Sequence, residues 1–110
     1  MENKKNANLI AACQKSVETC ESCSTSNKDV AGMENIVKLS IACKNICNEV
    51  LAAIKNSSKN LNILYKKCDD ACIACAKECE KHAENLQCKA SADACNKCAT
   101  ECKLMLSVTA

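Results

Sequence analysis

The residues of this sequence that could do chemistry are its cysteines, thirteen among 110 residues, recurring at steps of three and four. The densest run is Cys68-x3-Cys72-x2-Cys75-x3-Cys79, with Cys88 and Cys95-x2-Cys98-x3-Cys102 after it. Cys13, Cys20-x2-Cys23 and Cys43-x3-Cys47 precede it. A thiol is a nucleophile, a redox group and, once deprotonated, a soft metal ligand. A free Cys or two can be a small buried hydrophobe. Thirteen oxidisable groups in register are too many for filler.

Three chemistries compete. A disulfide-linked helical structural protein is one, with Cys13…Cys23 and Cys88…Cys98 as C-x9-C pairs and three C-x3-C pairs beside them. Within a helix, Cβ atoms three or four residues apart are separated by about 5–6 Å, more than the ~3.5–4.5 Å a disulfide spans. Bridges would have to join different helices, and the odd count leaves one thiol over. An iron–sulfur redox protein is the second, because Cys68-x3-Cys72-x2-Cys75 has a cluster-like spacing. Such ligand loops wrap their cofactor, yet neither Gly nor Pro interrupts 68–79. Metal storage is the third. Zinc in a four-cysteine site leaves about two negative charges on each centre, costly in a dry core. Copper(I) is soft and monovalent, so each ion that replaces a thiol proton leaves the net charge unchanged. Thiolates on one helical face can reach the separation that linear S–Cu–S bonding needs by choice of rotamer.

These ligands need long, unbroken helices. The sequence has no Pro, Phe or Trp, one Gly (Gly32) and one aromatic, Tyr65, which excludes a β-sandwich or a turn-rich zinc or disulfide scaffold. Breaks at Ser24–Asn27 (with Asp29 as cap), Asn56–Ser58 (with a serine as cap) and Glu84–Gln87 divide the chain. Helices are expected at about 6–24, 30–56, 58–84 and 87–107, one domain over 1–110, folded as an all-α, antiparallel up-down-up-down four-helix bundle with a cysteine-lined core.

At about 100° per residue, Leu61, Leu64, Cys68, Cys72, Cys75, Cys79, His82 and Leu86 share one face of the third helix. Cys88, Cys95, Cys98 and Cys102 share one face of the fourth, Cys13, Cys20 and Cys23 lie with Leu9 on the first, and Cys43 and Cys47 lie with Ile36, Leu39, Val50 and Ile54 on the second. Antiparallel threading sets Cys43 opposite Cys72, Cys47 opposite Cys68, Cys75 near Cys95 and Cys98, and Cys79 near Cys95. Leu9, Ile10, Val50, Leu51, Ile54, Leu61, Leu64, Tyr65, Leu104, Leu106 and Val108 collect at one end as an aliphatic plug. Cys23, Met33, His82 and Cys88 mark the other end, poor in large aliphatics, as a mouth.

The pattern resembles the bacterial copper storage proteins, on the strength of the Cys68–Cys79 and Cys95–Cys102 runs and Cys43-x3-Cys47. The resemblance spans Cys13 to Cys102 and implies a bundle that reversibly holds many Cu(I) ions, a homotetramer, and access at an open end where His or Met assists, here His82 and Met33. The reading is therefore a non-enzymatic copper(I) store, with all thirteen cysteines as ligands and a copper donor or acceptor protein, or a small-molecule copper ligand, as partner.

Charge adds no other partner. Lysines and acids are interspersed to a net +2, and one aromatic offers no stacking platform for nucleic acid. No apolar run is long enough to cross a membrane or make a secretory leader, so a reducing, cytoplasmic location is expected. Thirteen cysteines lie nearer the count of the family's exported members than of its cytosolic ones.

Overall fold

The computed structural model describes residues 2–109, with side chains from 6 to 107. Val108, expected in the plug, lies outside the described side chains, as do the residues read for a leader at the N-terminus. The chain forms α1 (Glu2–Ser26), α2 (Glu34–Lys55), α3 (Leu61–Glu80) and α4 (Leu86–Thr109). In this antiparallel ring α1 packs on α2 and α4, and α3 packs on α2 and α4. The helices are nearly parallel to the long axis of a body measuring 43 × 20 × 18 Å.

The helix ends differ from expectation for local reasons. Asp29 does not cap α2. Residues 27–33 instead make two successive turns, Val30 N–H to Asn27 O and Met33 N–H to Val30 O, and Gly32 takes a positive φ of 87° that suits glycine. The helix therefore begins at Glu34, behind Met33. At the opposite end, α2 closes with Ser57 N–H on Ile54 O and Ser58 N–H on Ala53 O, while Ser57 sits at φ 54°. This is the Schellman arrangement that satisfies terminal carbonyls. Asn60, rather than a serine, then precedes α3.

The third connection holds the main correction. Helix α3 stops at Glu80, four residues short of expectation, and residues 81–85 turn. His82 is thus in the turn and not on the helix stripe, and Leu86 opens α4 with 77% of its surface exposed. Asn85 supplies the cap of α4: its Oδ1 accepts the Cys88 backbone N–H at 3.0 Å.

The core is largely sulfur. All thirteen cysteines are fully buried, and between them and the plug end lie Leu9, Val50 and Tyr65, also buried. Leu51, Ile54, Leu61, Leu64 and Leu106 pack around these. Leu104 does not join them, because it points outward and is 51% exposed. The mouth end is less bare than expected, since Ile36 of α2 is buried as well as Met33. Polar ties on the outside fix the ring: Lys44 to Glu21 at 2.7 Å joins α2 to α1, and Lys103 to the buried Asp69 at 2.6 Å joins α4 to α3.

Candidate metal centre

Each helix places one side chain toward the axis every three or four residues, so sulfurs from the four helices meet in layers. Nearest the plug, Cys13, Cys47, Cys68 and Cys98, one from each helix, bring their sulfurs within 4.8 Å of one another. Cys102 lies at the edge of this layer, beside Cys68 and Cys98. Further along, Cys20, Cys43, Cys75 and Cys95 form a second set of four within the same distance. Toward the mouth, Cys23, Cys79 and Cys88 form a set of three.

The layers are joined. Cys43, Cys47 and Cys72 form a further group, so Cys43 and Cys47 each belong to two. The Cys43 sulfur is 3.5 Å from that of Cys72 and 3.6 Å from that of Cys95, and Cys68 lies 3.9 Å from Cys72. The predicted oppositions Cys43–Cys72 and Cys47–Cys68 (3.7 Å) are present. Cys75 joins Cys95 as expected. It does not join Cys98, which goes with Cys13 and Cys68, and Cys79 joins Cys23 and Cys88 instead of Cys95. Both corrections have one cause: the α3–α4 turn is centred near 83, not 86, which shifts each partner on α4 by about six residues, more than one and a half turns, against α3.

All thirteen thiols are free, and the shortest contact between them, 3.5 Å, is far from the ~2.05 Å of a disulfide. Helix α3 runs unbroken through Cys68–Cys79, without the loop an iron–sulfur cluster would require. Either set of four sulfurs alone would suit a tetrahedral ion. The two sets have no member in common, but Cys72, grouped with Cys43 of one and Cys47 of the other, links them into one array.

The thiols share protons unequally. Cys23 at the mouth is pulled down to about 6, first by a hydrogen bond from Cys79 and, against the effect of burial, by Ser40 and Cys88. Its neighbour Cys88 is pushed up to about 12 by burial and by the Cys23 charge. Deeper in, Cys75 is held low by donation from Cys20, Cys43, Cys79 and Cys95. Cys72 is held high, donating to Cys43, Cys47, Cys68 and Cys95. Tyr65 closes the column, and its hydroxyl is raised by burial and by the adjacent Cys102 and Cys13.

Of the two mouth candidates that are not cysteines, Met33 is buried at the start of α2. His82 is half-buried, its backbone N–H bonded to Cys79 O at 2.9 Å. Among the described residues, its ring joins none of the close groups of candidate ligand atoms.

Sequence reasoning missed the oxygen and nitrogen atoms that touch the sulfurs. Ser40 and Ser91 are fully buried among them, and the Asn27 amide reaches the Cys23 sulfur at 3.7 Å. The signal was in the spacing, for each serine stands three or four residues from a cysteine on its own stripe.

Comparison with known proteins agrees with this geometry. The sequence profile described as Csp, copper storage protein, matches residues 2–107. No curated protein matches the chain by sequence. Among solved structures, it is similar to the "Cu(I)-bound Copper Storage Protein BsCsp3", at 28% identity and a TM-score of 0.85, over 93% of this chain and 98% of that one. It is also similar to apo-Csp3, copper storage protein 3 from Bacillus subtilis, at 31% identity and a TM-score of 0.83, over 91% and 97% of the two chains.

Proposed function

The chain belongs to the copper storage protein family, and on that premise we propose that it is a copper(I) store whose thirteen cysteines are all ligands. The observation that carries this reading is the sharing of Cys43 and Cys47 between adjacent sulfur groups. Shared sulfurs suit a continuous array in which a thiolate bridges two monovalent ions. Each Cu(I) displaces one thiol proton, so the array stays neutral among sulfurs that have no exposed surface. A divalent ion in each set of four would leave negative charge on neighbouring, connected sites.

Copper enters at the end formed by residues 27–33 and 81–85, past Cys23 and Cys88, with His82 and Met33 as first contacts. Leu9, Tyr65 and their neighbours close the other end. The role is storage, not catalysis. A copper donor or acceptor, protein or small molecule, exchanges with the mouth, and the bundle assembles as a homotetramer, as the family resemblance implies. Free thiols persist in a reducing compartment, which supports a cytoplasmic location.

The test is an anaerobic Cu(I) titration of fully reduced protein against a competing chelator. About one copper per thiol, on the order of ten to thirteen per chain, is expected from charge-neutral bridging. Saturation at two to four divalent ions, with weak Cu(I) uptake, would overturn the reading in favour of zinc.

A further inference from the structure

The inward stripes have more places than cysteines. On α1 the stripe runs Leu9, Cys13, Ser16, Cys20, Cys23, Asn27; on α2 it runs Ile36, Ser40, Cys43, Cys47, Val50; on α4 it runs Cys88, Ser91, Cys95, Cys98, Cys102. Each alternates steps of three and four, the period that keeps side chains on one helical face. Ser16, Ser40 and Ser91 thus occupy places where a cysteine would continue the column, and all three have no exposed surface.

Two of these serines face sulfur. The Ser91 hydroxyl is 3.6 Å from the Cys20 sulfur, 3.8 Å from that of Cys95 and 3.9 Å from that of Cys75. The Ser40 hydroxyl is 3.8 Å from the Cys75 sulfur, and it stands on the one helix that contributes no thiol to the Cys23/Cys79/Cys88 layer. Ser16 behaves differently, donating to the Ala94 carbonyl at 3.2 Å.

A hydroxyl and a thiol respond oppositely to copper. When Cu(I) binds, the S–H bond is replaced by S–Cu and the proton leaves for solvent or the donor's ligand. The hydroxyl oxygen is a hard, weakly acidic donor that Cu(I) does not select, and it keeps its proton. Filling the column therefore removes the S–H donors around Cys75 and Cys95 while the Ser40 and Ser91 donors remain.

We infer that Ser40 and Ser91 are column places in which oxygen stands for sulfur: they hydrogen-bond the copper-bridging thiolates and hold the store's capacity below the number of places its helices provide. This rests on the copper reading above.

The experiment compares Cu(I) capacity and near-ultraviolet sulfur-to-copper absorption for the unaltered chain and five variants, fold being checked by circular dichroism. Ser40→Cys and Ser91→Cys should each bind about one more Cu(I), whereas Ser16→Cys, directed at a carbonyl, should bind no more. Ser40→Ala and Ser91→Ala should keep the capacity and shift the absorption band, since the thiolates lose a donor. An equal gain at Ser16 would show that stripe position alone sets capacity and would overturn the inference. So would folded Ser40→Cys and Ser91→Cys variants with no gain, or Ala variants with an unchanged band. If either cysteine variant fails to fold, the Ala variants decide. Failure of the unaltered chain to bind Cu(I) would instead sink the copper reading itself.

Discussion

Asn27 and Asn85 meet across the mouth of the bundle, the Asn85 amide donating to Asn27 Oδ1 at 3.3 Å. Each also holds a mouth cysteine in place. Asn27 donates to the Cys23 carbonyl at 2.9 Å, and Asn85 Oδ1 accepts the Cys88 N–H at 3.0 Å. The two connecting segments at this end are therefore tied to each other and to the backbone of two of the three outermost cysteines.

Asn85→Ala loses both the cap of α4 and the tie to Asn27, and should destabilise the apo protein by about 1–2 kcal/mol. Asn85→Asp retains a capping oxygen and loses only the amide donor, so its cost should be smaller. Urea unfolding under reducing conditions measures both, and the opposite order would contradict the cap assignment.

At the plug, Leu9 is fully buried and Leu104 is half exposed. Leu9→Ala should cost about 2–5 kcal/mol, whereas Leu104→Ala should change stability by less than about 0.5 kcal/mol. Copper capacity should be unaltered in both, because neither side chain is a ligand. Chemical denaturation and a Cu(I) titration of each variant check this.

Loading should stabilise the fold strongly. An ion that binds only the folded state adds about 4 kcal/mol when present at a thousand times its dissociation constant, which for a domain of this size raises Tm by about 15 °C or more. The effect should reverse when a Cu(I) chelator strips the metal. Calorimetry of apo and loaded protein, both reduced, would detect coincident midpoints if the sulfurs did not act as a metal core.

His82→Ala should slow both Cu(I) uptake and chelator-driven removal, with capacity unchanged. The His82 imidazole, in the turn beside Cys79, offers a first ligand that the deeper thiols then displace. Stopped-flow uptake from a weak Cu(I) complex makes the comparison. Unchanged rates would leave the outer cysteines to accept copper unaided.

The bundle and most of the column were legible in the sequence because the cysteine steps repeat the helix period and no proline breaks them. The Cys43–Cys72 and Cys47–Cys68 pairs followed from a single turn near 57, which the structure places almost there. The α3–α4 register was harder to read. That connection has no Gly or Pro, and Lys81, His82, Ala83, Glu84 and Asn85 are residues that a helix would accept as readily as a turn. The turn is marked only by backbone bonds that close α3 at Lys81 and His82 and by the cap that Asn85 makes for α4, a contact of one side chain with one backbone group. The buried serines escaped notice because serine is ordinarily a surface or capping residue. Only the sulfurs on three sides of Ser91 make it a member of the core.

Tyr65, the chain's one aromatic residue, stands against Cys13 and Cys102 at the closed end of the column. With no tryptophan to mask it, the molecule has a single built-in fluorophore beside its deepest sulfurs. Its emission reports the arrival of copper at the innermost layer, not the total bound. During a stepwise titration, early quenching means that ions run to the bottom and fill upward. Quenching only near saturation means that they stop at the mouth and fill downward.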